Sequence, residues 1–122
     1  MRLFLLFGII NGFLAVALGA FGAHGLEGKV SDKMIAIWEK AVTYEMFHAT
    51  ALLATGLLMM KYQLASMTAA GWAFLIGIIL FSGSLYVYAL TSVKFFAIIT
   101  PFGGVSFLVG WVLLAIAVIK LT

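Results

Sequence analysis

Glu45 and His48 are the residues whose types and spacing could do chemistry in this chain. Three positions apart, they are neighbours on one helix face. A carboxyl beside an imidazole can exchange a proton, hold a cation or ligate a metal, and Glu-x-x-His is a spacing that carboxylate metal sites use on helices. His24, the other histidine, would be a third ligand. Di-iron bundles need two such motifs plus two further glutamates, and here there is one motif, so neither a metal nor a cofactor is expected. The chain contains no cysteine, which removes thiolate ligands and cysteine nucleophiles. Ser82-Gly83-Ser84 has no base nearby in sequence. No phosphate loop or HExxH pattern occurs either, and the reading leans away from an enzyme.

The elements that must position these residues follow from composition. Of 122 residues 66% are hydrophobic and 9% charged, against about 45–50% and roughly 25% in ordinary soluble domains. So few charges cannot solvate a soluble body of this size, and so much apolar surface excludes disorder. The net charge of +3 is not clustered densely enough to track nucleic-acid phosphates. The lipid bilayer is the expected partner. Uncharged runs cover residues 3–23, 46–60, 62–93 and 95–119, and a spanning helix needs about 20 mostly apolar residues. The first run is longer than the apolar core of a signal peptide, about 7–15 residues, and is read as a span. Thr100-Pro101 has the form of an N-cap followed by proline at the first helical position. It predicts a helix start at 100, with 91–100 as a connector; the alternative is a helix from Lys94 kinked at Pro101. The expectation is an all-α membrane protein, a four-transmembrane-helix bundle in one domain (1–122), with spans at about 3–23, 42–61, 66–90 and 100–120.

Residues 31–48 read as amphipathic. Ser31 is a suitable N-cap and Asp32 suits the first turn. Met34, Trp38, Ala41, Glu45 and His48 share one side; Asp32, Lys33, Ala36, Glu39, Lys40 and Thr43 share the other. The first half is expected to be an interfacial helical segment, on the membrane surface or leaning out of it, that feeds the second span. An acid facing the bundle is costly, on the order of 2.5–3.5 kcal/mol at mid-bilayer. Glu45 therefore needs a partner, and His48 is the nearest candidate.

Stripes of small residues mark faces where helices can approach closely in lipid. Gly8, Gly12, Ala15, Gly19 and Gly22 form one, with Asn11 at its edge as an expected interhelical hydrogen bond. Ala70, Gly77, Ser84 and Thr91 form another, and Gly103, Ser106, Gly110 and Ala117 a third. Four spans would bring the unusual residues to one membrane face: His24, Tyr44, Glu45, His48, Ser82, Ser84, Tyr86, Tyr88, Thr100 and Pro101. From these, His24, Tyr44, Glu45, His48, Ser84 and Thr100 are the candidate polar site.

Several stretches together resemble the YgdD/YwdK-like family of small membrane proteins. They are Gly19-Ala20-Phe21-Gly22-Ala23-His24-Gly25-Leu26, Tyr44 with His48-Ala49, Leu80-Phe81-Ser82-Gly83-Ser84-Leu85-Tyr86, Thr100-Pro101-Phe102-Gly103-Gly104, and Gly110-Trp111. The resemblance implies a four-span protein of the bacterial plasma membrane. The family is uncharacterised, so it supplies no catalytic residues. It also implies glutamine after the tyrosine, where this chain has Glu45; glutamine can hydrogen-bond but cannot ionise.

Two functional expectations follow. In one, a compact membrane bundle acts through a membrane-protein partner, as a homo-oligomer or as a structural component, with polar residues that stabilise the bundle itself. In the other, Glu45 and His48 serve a small-solute or ion carrier at one membrane face. Basic residues divide three against four between the two expected ends, so orientation stays open.

Overall fold

Ser31 stops the loop and starts the second helix: its hydroxyl accepts from the Met34 N–H at 3.2 Å, with Asp32 in the first turn. The computed structural model describes residues 2–121, and every regular element among them is helical. Helix α1 (Arg2–Gly25) packs antiparallel on α2 (Asp32–Met59). Gly8 meets Leu53 at one end of that pair, and Gly22 meets Trp38 at the other. Helix α3 (Ala65–Gly77), a π-helical segment (Ile78–Gly83) and α4 (Ser84–Thr91) continue as one rod, against which α5 (Lys94–Lys120) packs. Helix α2 touches α1 on one side and the rod on the other.

Helix α2 does not break between its amphipathic first half and its apolar second half. The stretch expected to be an interfacial helical segment feeding the second span is continuous with that span as one helix. Its apolar side is covered by protein: Trp38 and Val42 pack with Leu26 and Ala89, with Met34, Ile35 and Ile37 at the margin.

Residue 100 is not a helix start. Helix α5 begins at Lys94 and runs through Pro101. Proline removes one hydrogen bond to the preceding turn and disfavours a helical residue before it. Here the surroundings override that local preference: the Thr100 hydroxyl bonds Ser84 at 2.6 Å, and Gly103 lies against the Phe81 backbone. The turn between α4 and α5 is made by Ser92 in the left-handed region (φ 58°), its N–H bonded to the Tyr88 carbonyl.

Three helical stretches are long and apolar enough to cross a membrane: Arg2–Gly25, Ala65–Thr91 and Lys94–Lys120. Helix α2 is not among them, because Thr43, Tyr44, Glu45, His48, Thr50 and Thr55 interrupt its apolar run. The outer surface carries large exposed apolar side chains, among them Phe13 and Val16 on α1 and Phe102, Leu108 and Ile119 on α5. Apolar patches of this extent mark contact with a membrane or a protein.

Candidate functional site

Helix α2 buries Glu45 and His48 to 4% and 3% exposure, yet the two side chains are not partners. The Glu45 carboxylate accepts at Oε1 from the Tyr86 hydroxyl of α4, at 2.7 Å. Its other oxygen has no partner among the described residues, and no cation stands beside it there.

His48 turns towards α5. Its Nε2 lies 3.1 Å from the Trp111 indole nitrogen, and its Nδ1 lies 2.8 Å from the Tyr44 carbonyl one turn back. An indole N–H only donates and a carbonyl only accepts. The network therefore assigns the imidazole proton to Nδ1 and leaves Nε2 as the acceptor. The ring stacks on Phe107 at 3.5 Å with an 8° interplanar angle. Both nitrogens are thus engaged away from Glu45, and the expected pairing is replaced by Glu45–Tyr86 and His48–Trp111.

The remaining candidates fall elsewhere. Ser84 and Thr100 bond each other across the rod–α5 interface, and whichever hydroxyl accepts there keeps its proton for a carbonyl near it in the chain, Phe81 for Ser84 or Phe96 for Thr100. Tyr44 is 41% exposed, with its ring nearly parallel to those of His48 and Phe107. His24 is exposed near the end of α1 and joins none of these groups. The six candidates therefore divide into Glu45 alone, Tyr44 with His48, Ser84 with Thr100, and His24 apart. Among the described residues no three His, Cys, Asp or Glu converge in a way that could hold a metal ion.

Sequence reasoning missed the donors. Tyr86 serves Glu45, Trp111 serves His48, and Trp38 donates from Nε1 to the Leu18 carbonyl of α1 at 2.8 Å. Ser82, wholly buried in the π segment, donates to the Ala41 carbonyl of α2, and Ser106 of α5 donates to the Ala73 carbonyl of α3. The available signal was residue type: a buried indole or phenol needs a hydrogen-bond partner. Asn11 was expected to bond across helices. Its amide instead donates at 2.8 Å to the Phe7 carbonyl of its own helix, one turn back and always within reach.

The glycines also separate. A Cβ on Gly8, Gly77, Gly103 or Gly110 would collide with Leu53, Phe107, the Phe81 backbone or Phe74; at Gly19 it would press on Val42 at 3.2 Å. At Gly12 it would meet nothing within 4 Å, so this position does not serve a helix crossing inside the bundle. Between α2 and α5 an outward-facing groove of about 500 Å³ is lined by rings, among them Tyr44, Phe47, His48, Phe107 and Trp111, with Pro101 at its edge.

Comparison with known proteins adds the relatives. A family model described as "Protein of unknown function (DUF423)" matches residues 18–104. A UPF0382 membrane protein of Staphylococcus epidermidis is 51% identical over 120 residues, covering 98% of both chains. Another from Staphylococcus aureus is 49% identical over 120 residues, again with 98% of both covered. The UPF0382 membrane protein YwdK of Bacillus subtilis is 46% identical over 121 residues, with 98% of both covered. No solved structure matches.

Proposed function

The chain belongs to the DUF423 family of proteins of unknown function, with the YwdK-like membrane proteins as its relatives, and from that membership we propose a four-span bundle of the bacterial plasma membrane that acts on a membrane partner through its apolar outer surface. Helix α2 is the fourth span: Glu45, His48 and Thr55 are buried in the bundle, and the exposed Thr43 and Thr50 hydroxyls are satisfied by carbonyls of their own helix one turn back. The observation that carries this reading is the state of the buried polar groups. Among the described residues, the Ser66 hydroxyl is the only side-chain nitrogen or oxygen wholly closed off from the surface that lacks a hydrogen bond; the second Glu45 oxygen also lacks one but is not wholly closed off. Serine, threonine, histidine and tryptophan side chains of the interior hold the helices to one another, which leaves the outside to do the work. The aromatic groove between α2 and α5 is where a partner's side chains would seat.

The test has two arms. Single cysteines at His24 and Thr100 should label from one side of the membrane, and cysteines near Lys61 and Lys120 from the other. A photo-crosslinking residue at Leu108, on the rim of the groove, should give a discrete adduct that the same probe at Ile9 does not. Labels that place His24 and Thr100 on opposite sides, or identical adducts at Leu108 and Ile9, would remove the proposal.

One observation favours a second reading. An ionisable residue within a span is a functional candidate by default, and Glu45 has a single hydrogen bond and no cation. A carrier would use Glu45 as its proton- or cation-binding group. His48 has both nitrogens engaged, so it would shape the site and not carry the proton. Proton or ion flux in liposomes that is abolished by Glu45→Gln is the expected result of that reading; flux that survives the substitution refutes it.

A further inference from the structure

Three of the four acidic residues of the chain, Glu27, Asp32 and Glu39, lie towards one end of the bundle, where α1 stops and α2 starts, and the fourth, Glu45, lies midway along α2. The opposite end, where α2 stops and α3 starts, carries Lys61 with Arg2 and Lys120 and no acidic side chain. Its charged side chains are therefore all basic. The same end holds a groove of about 340 Å³ lined by the apolar Met59, Leu64 and Ala65 and by three polar side chains, Tyr62, Gln63 and Thr68. None of these three side chains has a hydrogen bond to the protein among the described residues. Lys61, next to Tyr62 in the chain, holds its ammonium 5.4 Å from the centre of the Tyr62 ring. Helix α3 begins in that groove, at Leu64 and Ala65, with no side-chain cap.

We infer that this groove binds the anionic headgroup of a membrane phospholipid. The chemistry called for is that of a phosphate. The groove offers the hydroxyls of Tyr62 and Thr68, the amide of Gln63 and the free N–H groups of a helix start, with the Lys61 ammonium over the Tyr62 ring and no Asp or Glu side chain at this end. The location fits as well. Residues 60–64 join two spans in the four-span reading on which this inference rests, so the groove lies at headgroup depth. A basic residue at an anionic membrane surface contributes about 1 kcal/mol, which is about fivefold in affinity. A bound headgroup would also give α3 the cap that its own sequence withholds.

The experiment is native mass spectrometry of the whole protein in detergent micelles, titrated with phosphatidylglycerol or with phosphatidylcholine of the same chain length. Phosphatidylglycerol should be retained at about one-fifth the concentration that phosphatidylcholine needs. Lys61→Gln should erase most of that preference, and Lys61→Gln with Gln63→Ala the rest. Both side chains are exposed and lack protein hydrogen bonds, so these variants should keep the parent's helical circular dichroism and melting. Lys33→Gln with Lys40→Gln, at the other end, should leave the preference intact. Equal retention of both lipids, a preference that ignores Lys61 and Gln63, or displacement of phosphatidylglycerol by inorganic phosphate at matched concentration would each overturn the assignment. Micelle binding is read without reference to topology, and cysteine labelling reads topology without reference to lipid, so failure of one does not masquerade as failure of the other.

Discussion

Replacing Gly103 by alanine should destabilise the fold more than any other glycine-to-alanine change in α5. A Cβ at Gly103 would stand 2.7 Å from both Cα and Cβ of Phe81 and closer still to its backbone nitrogen. No side-chain rotation can relieve a clash with backbone; the rod and α5 must move apart. That separation also stretches the Ser84–Thr100 bond, now 2.6 Å, one turn away. Overpacking of this kind costs about 1–3 kcal/mol, and an interhelical hydrogen bond in lipid contributes about 0.6 kcal/mol. Against these stands the higher helix propensity of alanine, about 0.8–1.0 kcal/mol. The net loss is therefore on the order of 1–3 kcal/mol. Two controls calibrate it. At Gly104 a Cβ would meet only the edge of the Phe81 ring at 3.8 Å, and at Gly12 it would meet nothing within 4 Å. Both alanine variants should therefore be neutral or slightly stabilised. The assay is reversible unfolding in mixed micelles by added anionic detergent, followed by circular dichroism. Equal unfolding midpoints for Gly103→Ala and Gly104→Ala would refute the claim that the rod and α5 are in backbone contact at Phe81.

Two further outcomes can be read in the same assay. Tyr86→Phe strips the only hydrogen bond from the Glu45 carboxyl and should cost about 1–3 kcal/mol, whereas Glu45→Gln keeps an acceptor for that hydroxyl and should cost less than about 1 kcal/mol; the reverse order would mean that the carboxylate has a partner other than Tyr86. Trp111→Phe keeps a ring in the groove but leaves His48 Nε2 without a donor, and should cost about 0.6–1.7 kcal/mol, against less for Trp111→His with its remaining N–H; equal midpoints would show that the indole contributes by packing alone.

Much of the helix layout was legible because the apolar runs are long and their ends are chemically marked. The first run, 3–23, lies within α1, and the third helical rod covers Ala65–Thr91 where about 66–90 was expected. Ser31 could be identified as a cap because hydroxyl-before-helix is a local signal that needs no tertiary context. Thr100-Pro101 carried an equally good local signal and misled. Its hydroxyl is used across the interface by Ser84, and contacts from the neighbouring rod hold the helix through the proline. The π segment at Ile78–Gly83 left no mark on a sequence whose apolar residues run almost without interruption there. The candidate site was half legible. Burial of Glu45 and His48 follows from their place on the apolar side of α2, but the direction each side chain takes depends on which neighbour offers a proton, and that is set by residues 41 and 63 positions away.

That dependence has a general cause, which explains why these two partners are aromatic. A helix presents carbonyl oxygens with a spare lone pair on every turn, while its N–H groups, past the first turn, are committed to its own ladder. Buried donors are therefore easily satisfied in a helical bundle. Trp38, Ser82 and Ser106 each find a carbonyl on a neighbouring helix, and Asn11, Thr55 and the Nδ1 side of His48 find one on their own. A buried acceptor has no such supply. Glu45 and the Nε2 of His48 must each be given a dedicated donor by another side chain, and in an apolar interior the donor has to bring its own hydrophobic body. Tyr86 and Trp111 do both, an apolar ring with one polar hydrogen at its rim. On this reasoning the acceptor is the member at risk: replacing the donor by phenylalanine strands it, whereas a donor whose acceptor is replaced by leucine can turn to a spare carbonyl. Glu45→Leu with Tyr86→Phe, which removes both at once, should be less destabilising than Tyr86→Phe alone. A double variant whose loss equals the sum of the two singles would show that the two side chains act independently and that donor scarcity does not govern this interior.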